Sequence, residues 1–363
     1  MPIHQIKRGP WAPVSTVLLV GILAVLVNPC STARGQGGPA VSTHTDEFRE
    51  APGFIVLADR RMFAVMAFLN AAGYDDEPNA REMPALRVKV RQMVAANLKQ
   101  HPQKLASWRQ LYSGWKKAHI MLPRYQEYAL SLTQDYPFQP ADSIPLKQLR
   151  EFHRVLNDFW QAARLDEIWQ AIRPDYLSEL RSYSLESLQS GVDAVWAYLH
   201  MTRSDTFTFV IVPNPLCQSR SAQAISRSAM YYIVDGPLVG RGFNSHEYLH
   251  SIVDPIVKAG LARQKRKLDQ YFRASNGKTI YYGTLPNFTA ECLIHALTPR
   301  LALQHNNSPE RQEAAKREID GLMNAGYLLV RSFYERLSAF ESSRLPFDQF
   351  VPQLLDEIPA YRP

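Results

Sequence analysis

The stretch His246-Glu247-Tyr248-Leu249-His250 has residue types and a spacing that can bind a metal ion and use it chemically. On a helix, His246 and His250 are four positions apart and lie on the same face, so both imidazoles can bind one ion. Glu247 lies between them, beside the position of a metal-bound water, where hydrolysis needs a general base. The stretch therefore predicts His246 and His250 as ligands and Glu247 as the catalytic residue.

The residues around this motif predict the helix that it needs. Asn244 and Ser245 precede the motif and supply N-cap chemistry. Pro255 limits how far an unkinked helix can continue. A competing interpretation makes Asn244 and Glu247 a capping box, with the Glu247 carboxylate bonded to the Asn244 amide and the histidines incidental.

Two runs upstream of the motif are rich in aromatic and β-branched residues and predict strands. They are Phe207–Val212 and Met230–Val234, and the second is followed by the turn sequence Asp235-Gly236-Pro237. A strand, a turn and then the motif helix would place a sheet beside the metal site.

A catalytic zinc site needs a third protein ligand and one open position. Glu291 is the strongest candidate, because it lies in an apolar stretch predicted to be a buried helix capped near Asn287. An ionised carboxylate is costly to bury unless it meets a cation. The alternative places Glu291 on the exposed face of an amphipathic helix. His295, four residues later, is the second candidate ligand, and it is also a candidate for stabilising a transition state or for a core histidine.

These features resemble the gluzincins, metallopeptidases with two histidines from H-E-x-x-H and a glutamate from a later helix. Within them the chain resembles an uncharacterised branch of secreted bacterial proteins, in which the motif is followed by Ser and then by Asn or Asp and Pro. That branch also has a stretch similar to 58–62 leading into 69–74. The resemblance implies an α+β, zincin-like fold, mostly helical, with a small mixed β-sheet beside the active-site helix. The interval from His250 to Glu291 is longer than in thermolysin-like enzymes.

The resemblance also implies roles for individual residues. One Zn²⁺ per chain would be bound by His246, His250 and Glu291, and Glu247 would pass the proton of the attacking water to the leaving amine. Asp254 would orient the His250 imidazole through its other nitrogen, or else it is only a helix-end residue. The candidates for stabilising the oxyanion are Tyr281, Tyr282 and His295. By analogy of fold, the strand at 230–234 would hold an extended peptide.

The N-terminus has the pattern of an export signal. Lys7 and Arg8 form a basic region, Val14 to Val27 is apolar, and Ser31-Thr32-Ala33 fits a cleavage site. We therefore expect a signal peptide over 1–35 and an exported protein, periplasmic or secreted. The alternative is attachment to a membrane, through an uncleaved N-terminal anchor or through a lipid on Cys30.

The rest of the chain divides into a flexible linker (36–48), an N-terminal helical lobe (49–200) and a catalytic lobe with C-terminal helices (201–363). The periodicity predicts helices over Met62–Leu69, Leu86–Leu98, Leu105–Trp115, Leu146–Ala163 and Tyr176–His200, separated by prolines. Between Glu310 and Phe340 it predicts two helical pieces around Gly326.

Composition excludes several classes of protein. Hydrophobic residues make up 46% of the chain, which indicates a packed globular body. The net charge is +7, but the dense basic run over 263–267 lacks a nucleic-acid-reading pattern, so we expect no nucleic-acid partner. Beyond the signal segment only Cys217 and Cys292 remain, too few for a cysteine zinc site. The sequence contains no P-loop, dinucleotide fingerprint or serine-nucleophile elbow.

Three functional classes follow from these observations. The first is an exported zinc metallopeptidase that acts on a peptide or protein substrate. The second is a catalytically silent zinc-binding envelope protein that binds peptides or glycans in the same cleft. The third is a helical binding module in which the motif is accidental. The sequence predicts no oligomeric state.

Overall fold

The computed structural model shows a mostly helical α+β protein with one small mixed sheet, as the sequence predicts. Residues 43–363 form one compact unit. The structure describes residues 48–51, 53–74, 84–141, 143–144, 146–203, 208–217, 222–227, 230–237, 242–261, 265–275 and 283–361. The predicted signal peptide, the linker up to residue 47, Cys30, Tyr281 and Tyr282 lie outside these residues.

Five strands form the sheet, in the order β1-β2-β3-β5-β4. They are β1 Phe48–Ala51, β2 Phe54–Leu57, β3 Thr208–Pro213, β4 Ala222–Arg227 and β5 Met230–Asp235. The β2, β3 and β5 strands are parallel, whereas β1 and β4 run antiparallel to their neighbours. The two strands predicted from the sequence are confirmed. Because β2 pairs with β3, the sheet joins residues from both sides of residue 200, and a lobe boundary there stays a prediction.

The prediction that the strand at 230–234 holds an extended peptide is wrong. The strand at 230–234 is β5, which pairs with β3 on one side and with β4 on the other. Its backbone groups are therefore already used on both sides. Among the described strands, β4 forms this edge of the sheet.

In the described residues, seven α-helices lie between β2 and β3. They are α1 Arg60–Ala72, α2 Ala85–Leu98, α3 Pro102–Lys117, α4 Leu122–Leu130, α5 Phe152–Ala162, α6 Leu165–Ser182 and α7 Leu185–Tyr198. The α1 helix is the central one: its residues from Met62 to Leu69 are at most 1% exposed. Asp59 caps it through the Arg61 and Met62 amides and also pairs with the buried Arg61 side chain. Gly73 ends it at φ 110°, a conformation that favours glycine.

Two predicted helices of this half have wrong boundaries. The region Leu146–Ala163 begins with a short 3₁₀ turn at Lys147–Leu149 and only then becomes α5. The region Tyr176–His200 contains a break, because Tyr183 is extended and Ser184 caps α7 through the Ser187 amide. Pro174, expected to separate helices, lies inside α6.

Six α-helices follow the sheet in the part of the chain that the structure describes. They are α8 Ser245–Gly260, α9 Lys265–Ser275, α10 Leu285–His305, α11 Pro309–Ala325, α12 Val330–Ser342 and α13 Phe347–Glu357. The two predicted pieces around Gly326 are confirmed as α11 and α12. Contrary to expectation, α8 continues past Pro255, since Val253 and Val257 on either side of the proline are both 0% exposed and packing sustains the helix.

Aromatic residues fill the helical core. Trp108, Trp115, Trp160 and Trp169 are all buried, whereas Trp196, whose sequence context also suggests a core aromatic, is only half-buried. Cys217 and Cys292 are also buried and are not joined in a disulfide. No helix within the described part of the chain has the length and apolar character to cross a membrane.

Candidate metal centre

The α8 helix presents the motif histidines because its opposite face is held in the core. Asn244 Oδ1 accepts a hydrogen bond from the Glu247 amide (3.2 Å), which sets the start of the helix. Tyr248 is 0% exposed; its ring lies 4.4 Å from that of Phe209 on β3, and its hydroxyl accepts a 2.8 Å hydrogen bond from Trp196 Nε1. With Tyr248 fixed against the sheet, His246 and His250 lie on the other face.

The α10 helix supplies the glutamate. It begins earlier than predicted, because its cap is Thr284, whose hydroxyl accepts from the Asn287 amide (3.4 Å), and not Asn287 itself. Glu291 is flanked by Ala290 and Cys292, both buried, while its own side chain is 17% exposed. The carboxylate therefore does not lie on an open surface, as the alternative interpretation required.

The Glu291 carboxylate lies at distances from the two motif histidines that suit ligands of one ion. Glu291 Oε1 lies 3.5 Å from His246 Nε2, and Glu291 Oε2 lies 3.2 Å from His250 Nε2. Two donors that are each about 2.1 Å from a tetrahedral zinc ion are separated by roughly 3.4 Å. At 3.5 Å the first contact is long for a hydrogen bond. The Glu291 carboxylate is thus placed to share an ion with either motif histidine.

His295 enters the same cluster from α10. Its Nε2 lies 3.6 Å from Glu291 Oε1, and its ring centre is 4.7 Å from that of His246. One donor atom from each of His246, Glu291 and His295 lies within 4.8 Å of the other two. His295 Nε2 is buried without a hydrogen-bond partner among the described atoms. Glu291 thus lies at ligand distance from three imidazoles.

Electrostatics make Glu291 a strong cation-binding group. Burial alone would raise the pKa of Glu291, but the adjacent His246 and His250 imidazoles outweigh it and hold the pKa well below the usual range of a carboxyl. Burial alone would lower the pKa of His250, but hydrogen bonds to Asp254 and Glu291 outweigh it and raise it to about 10. Burial and the neighbouring His246 lower the pKa of His295 to about 4. Without metal, the cluster therefore contains an anionic glutamate paired with a protonated His250.

Glu247 is directed toward the edge of the sheet. The backbone of Ala224 on β4 is close enough to this carboxylate to help lower its pKa, a proximity that the capping-box interpretation does not foresee. Burial raises the pKa of Glu247, and the neighbouring His246 and His250 offset this only in part. A raised pKa is the property that the predicted role of Glu247 as a general base would need.

Asp254 supports His250 from the next turn of α8. Its Oδ1 lies 3.0 Å from His250 Nδ1, although the Asp254 side chain is 52% exposed. A carboxylate on one ring nitrogen fixes the tautomer and directs the other nitrogen toward a ligand. The structure thus brings Asp254 to the predicted position.

Two tyrosines near the site come from distant elements. The Tyr327 ring, which follows α11, lies edge-on to His295 at 4.4 Å. Tyr231 of β5 is close enough to Asp254, Glu247 and Glu291 for these carboxylates to add to the effect of burial in raising its pKa. The aromatic β pattern predicted the strand that carries Tyr231, but nothing in the sequence indicated its proximity to the site.

The donor set, its spacing and its buried carboxylate identify the meeting point of α8 and α10 as a candidate metal centre. Comparisons of the chain with protein-family models, with curated proteins and with solved structures found no match.

Proposed function

We propose that the protein is a zinc-dependent metallopeptidase of the gluzincin type, with His246, His250 and Glu291 as ligands. One observation carries the proposal: Glu291, from a separate helix, lies 3.5 Å and 3.2 Å from the two motif histidines. If the H-E-x-x-H sequence were accidental, a largely buried carboxylate from a separate helix would not be expected beside both of its histidines. A zincin-like fold is part of the proposal.

The chain's own residues account for the acid–base chemistry. A bound zinc ion would supply a Lewis acid and lower the pKa of a coordinated water. Glu247, which lies beside the two histidines and near the Ala224 backbone, accepts the proton of the attacking water and donates it to the leaving amine. Asp254 holds His250 in the tautomer that presents Nε2 to the ion.

The edge strand β4 supports a peptide as the substrate. The backbone of Ala224 on β4 lies near the Glu247 carboxylate, so the edge strand borders the proposed base. An extended peptide that pairs along this edge would pass beside Glu247. Export to the periplasm or the exterior, from the pattern over 1–35, completes the proposal.

The test combines metal analysis with a single conservative variant. The wild-type protein is expected to contain about one zinc per chain and to cleave members of a peptide library. The Glu247→Gln variant should keep its zinc and lose activity by roughly 10²–10⁴-fold, because it keeps the side chain's shape but not its basicity. An exposed control, Glu335→Gln, should behave like the wild type. Equal activity in Glu247→Gln, or no cleavage by either protein, would show that the proposal is wrong.

His295 favours a second candidate, a catalytically silent zinc-binding protein. Its Nε2, 3.6 Å from Glu291 Oε1, is in reach to serve as a fourth protein ligand, and a site closed by four ligands has no position for water. In that case His295→Gln lowers zinc affinity as strongly as His250→Gln does. In a peptidase, His295→Gln keeps its zinc and changes only turnover.

A further inference from the structure

The His295 imidazole lies in the candidate metal centre without a hydrogen bond on its buried nitrogen. Its Nε2 is 3.6 Å from Glu291 Oε1, which is too long for a hydrogen bond, and it has no hydrogen-bond partner among the described atoms. His250, by contrast, has Asp254 Oδ1 at 3.0 Å from its Nδ1. The orientation of the His295 ring therefore depends on the side chains packed against it.

Two rings pack against this imidazole. The His246 ring centre lies 4.7 Å from that of His295 with 51° between the ring planes, and the Tyr327 ring centre lies 4.4 Å away at 75°. An edge-on contact at this distance is a favoured geometry for a pair of aromatic rings. Packing of this kind can hold a functional side chain in one rotamer. Of the two rings, Tyr327 comes from outside the motif helix, in the turn between α11 and α12.

The backbone of Tyr327 is fixed by both of these helices. Gly326 has φ 104°, its amide donates to the Met323 carbonyl (3.0 Å), and the Tyr327 amide donates to the Leu322 carbonyl (3.0 Å). The Tyr327 carbonyl in turn accepts a hydrogen bond from the Val330 amide (3.0 Å) at the start of α12. Both backbone groups of Tyr327 are thus bound, and its ring extends from a defined corner of the fold.

We propose that Tyr327 is a positioning residue, whose ring holds the His295 imidazole so that its Nε2–H can donate a hydrogen bond to the oxyanion of the tetrahedral intermediate. The inference rests on the proposed peptidase function and deepens it. His295 Nε2 is buried without a partner in the free protein, so a bond to the oxyanion is gained during the reaction and is absent before it. Such an interaction lowers the barrier because it is stronger in the transition state than in the ground state.

Replacing Tyr327 removes the ring and should let the imidazole rotate. Loss of one oxyanion donor costs about 10²–10³-fold in kcat, and a donor that is present but misplaced should retain part of this. We therefore expect Tyr327→Ala to lower kcat roughly 10- to 100-fold. The KM should change less than about three-fold, because the bound substrate has no oxyanion. Tyr327→Phe keeps the ring contact and should restore most of the lost kcat.

A double-mutant cycle with His295→Gln shows whether Tyr327 acts through His295. If it does, Tyr327→Ala should lower kcat by less than about two-fold in the His295→Gln background. The control is Leu328→Ala, which shortens a partly buried side chain in the same turn and should leave kcat within about two-fold of the wild type. Thermal unfolding checks that each variant folds.

Crystal structures of the wild type and of Tyr327→Ala give a second readout, which requires neither zinc nor turnover. The His295 ring should adopt one rotamer in the wild type and in the Leu328→Ala control. In Tyr327→Ala it should rotate, so that Nε2 moves away from Glu291, or occupy more than one rotamer.

Three outcomes would overturn the proposal. One is an unchanged His295 ring in crystals of Tyr327→Ala. A second is an equal loss of kcat from Tyr327→Ala in the wild-type and His295→Gln backgrounds. The third is a loss in Tyr327→Phe as large as that in Tyr327→Ala, which would assign the effect to the hydroxyl. Absence of cleavage by the wild type is a separate result: it contradicts the proposed function, while the crystal structures still decide whether Tyr327 orients His295.

Discussion

Replacing Glu291 with glutamine tests the metal centre most directly. The change keeps the volume and hydrogen-bonding capacity of the side chain but removes its negative charge. In the structure that charge faces His246 and His250 at 3.5 Å and 3.2 Å. We expect the variant to fold and to bind zinc much more weakly, because a neutral amide is a poor ligand.

The magnitude follows from sharing the binding free energy among the ligands. A structural zinc site with four ligands contributes about 10–16 kcal/mol, or roughly 3 kcal/mol per ligand, which corresponds to about 100-fold in affinity. A second effect opposes this loss. With the carboxylate gone, His250 loses one of the two hydrogen bonds that raise its pKa to about 10, so less free energy is spent on removing its proton. The net expectation is a loss of roughly 30- to 100-fold.

Competition with a chromophoric zinc chelator at pH 7.5 measures this loss. Glu335→Gln, an exposed change of the same kind on α12, is the control and should bind zinc like the wild type. Affinity within three-fold of the wild type in Glu291→Gln would refute the assignment of Glu291 as a ligand. If His295→Gln then lost affinity instead, the ligand set would be two motif histidines and His295.

Two further predictions concern the surroundings of His250. Asp254→Ala removes the carboxylate that lies 3.0 Å from His250 Nδ1 and should lower zinc affinity 10- to 100-fold. Asp254→Asn keeps an acceptor oxygen and should lose less zinc affinity. Equal zinc affinities of the wild type and the variants in the chelator competition would contradict this role of Asp254. The second prediction is a pH effect on the metal-free protein. The pKa of His250 is raised from 6.5 to about 10 in the folded protein. The protonated side chain therefore stabilises the folded state fully below pH 6.5, and this contribution is lost as the pH rises through 10. The free energy of unfolding in urea should therefore fall by about 1.4 kcal/mol per pH unit within this window. The His250→Gln variant should lack this component, and parallel curves for the two proteins would contradict the prediction.

The sequence predicted those helices whose ends and faces are set by residues close to one another in the chain. The motif helix was predictable because Asn244 can cap it and the 3.6-residue period places both histidines on one face. The helix α1 and its end at Gly73 were predictable for similar reasons. Glu291 could be proposed because a carboxylate in an apolar stretch needs a cation nearby.

Elements that depend on distant partners were not predictable in this way. The strand β2 is a four-residue apolar run, which as a sequence does not differ from the start of a helix; its pairing with β3 makes it a strand. The edge position of β4 likewise depends on the order of the strands, which no single segment encodes.

The choice between Glu291 and His295 as the third ligand shows the same limit within the site. Glu291 and His295 are four residues apart on α10, so the helical period places them together whichever of them binds metal. The structure adds that His250 has Asp254 on its second nitrogen at 3.0 Å, the support that metal-binding imidazoles usually have. His295 instead has the Tyr327 ring edge-on at 4.4 Å and a pKa lowered by burial and by His246 to about 4, which keeps it neutral. A neutral imidazole next to the ligand carboxylate, with one nitrogen able to donate, is better suited to binding a developing oxyanion than to completing the ligand set.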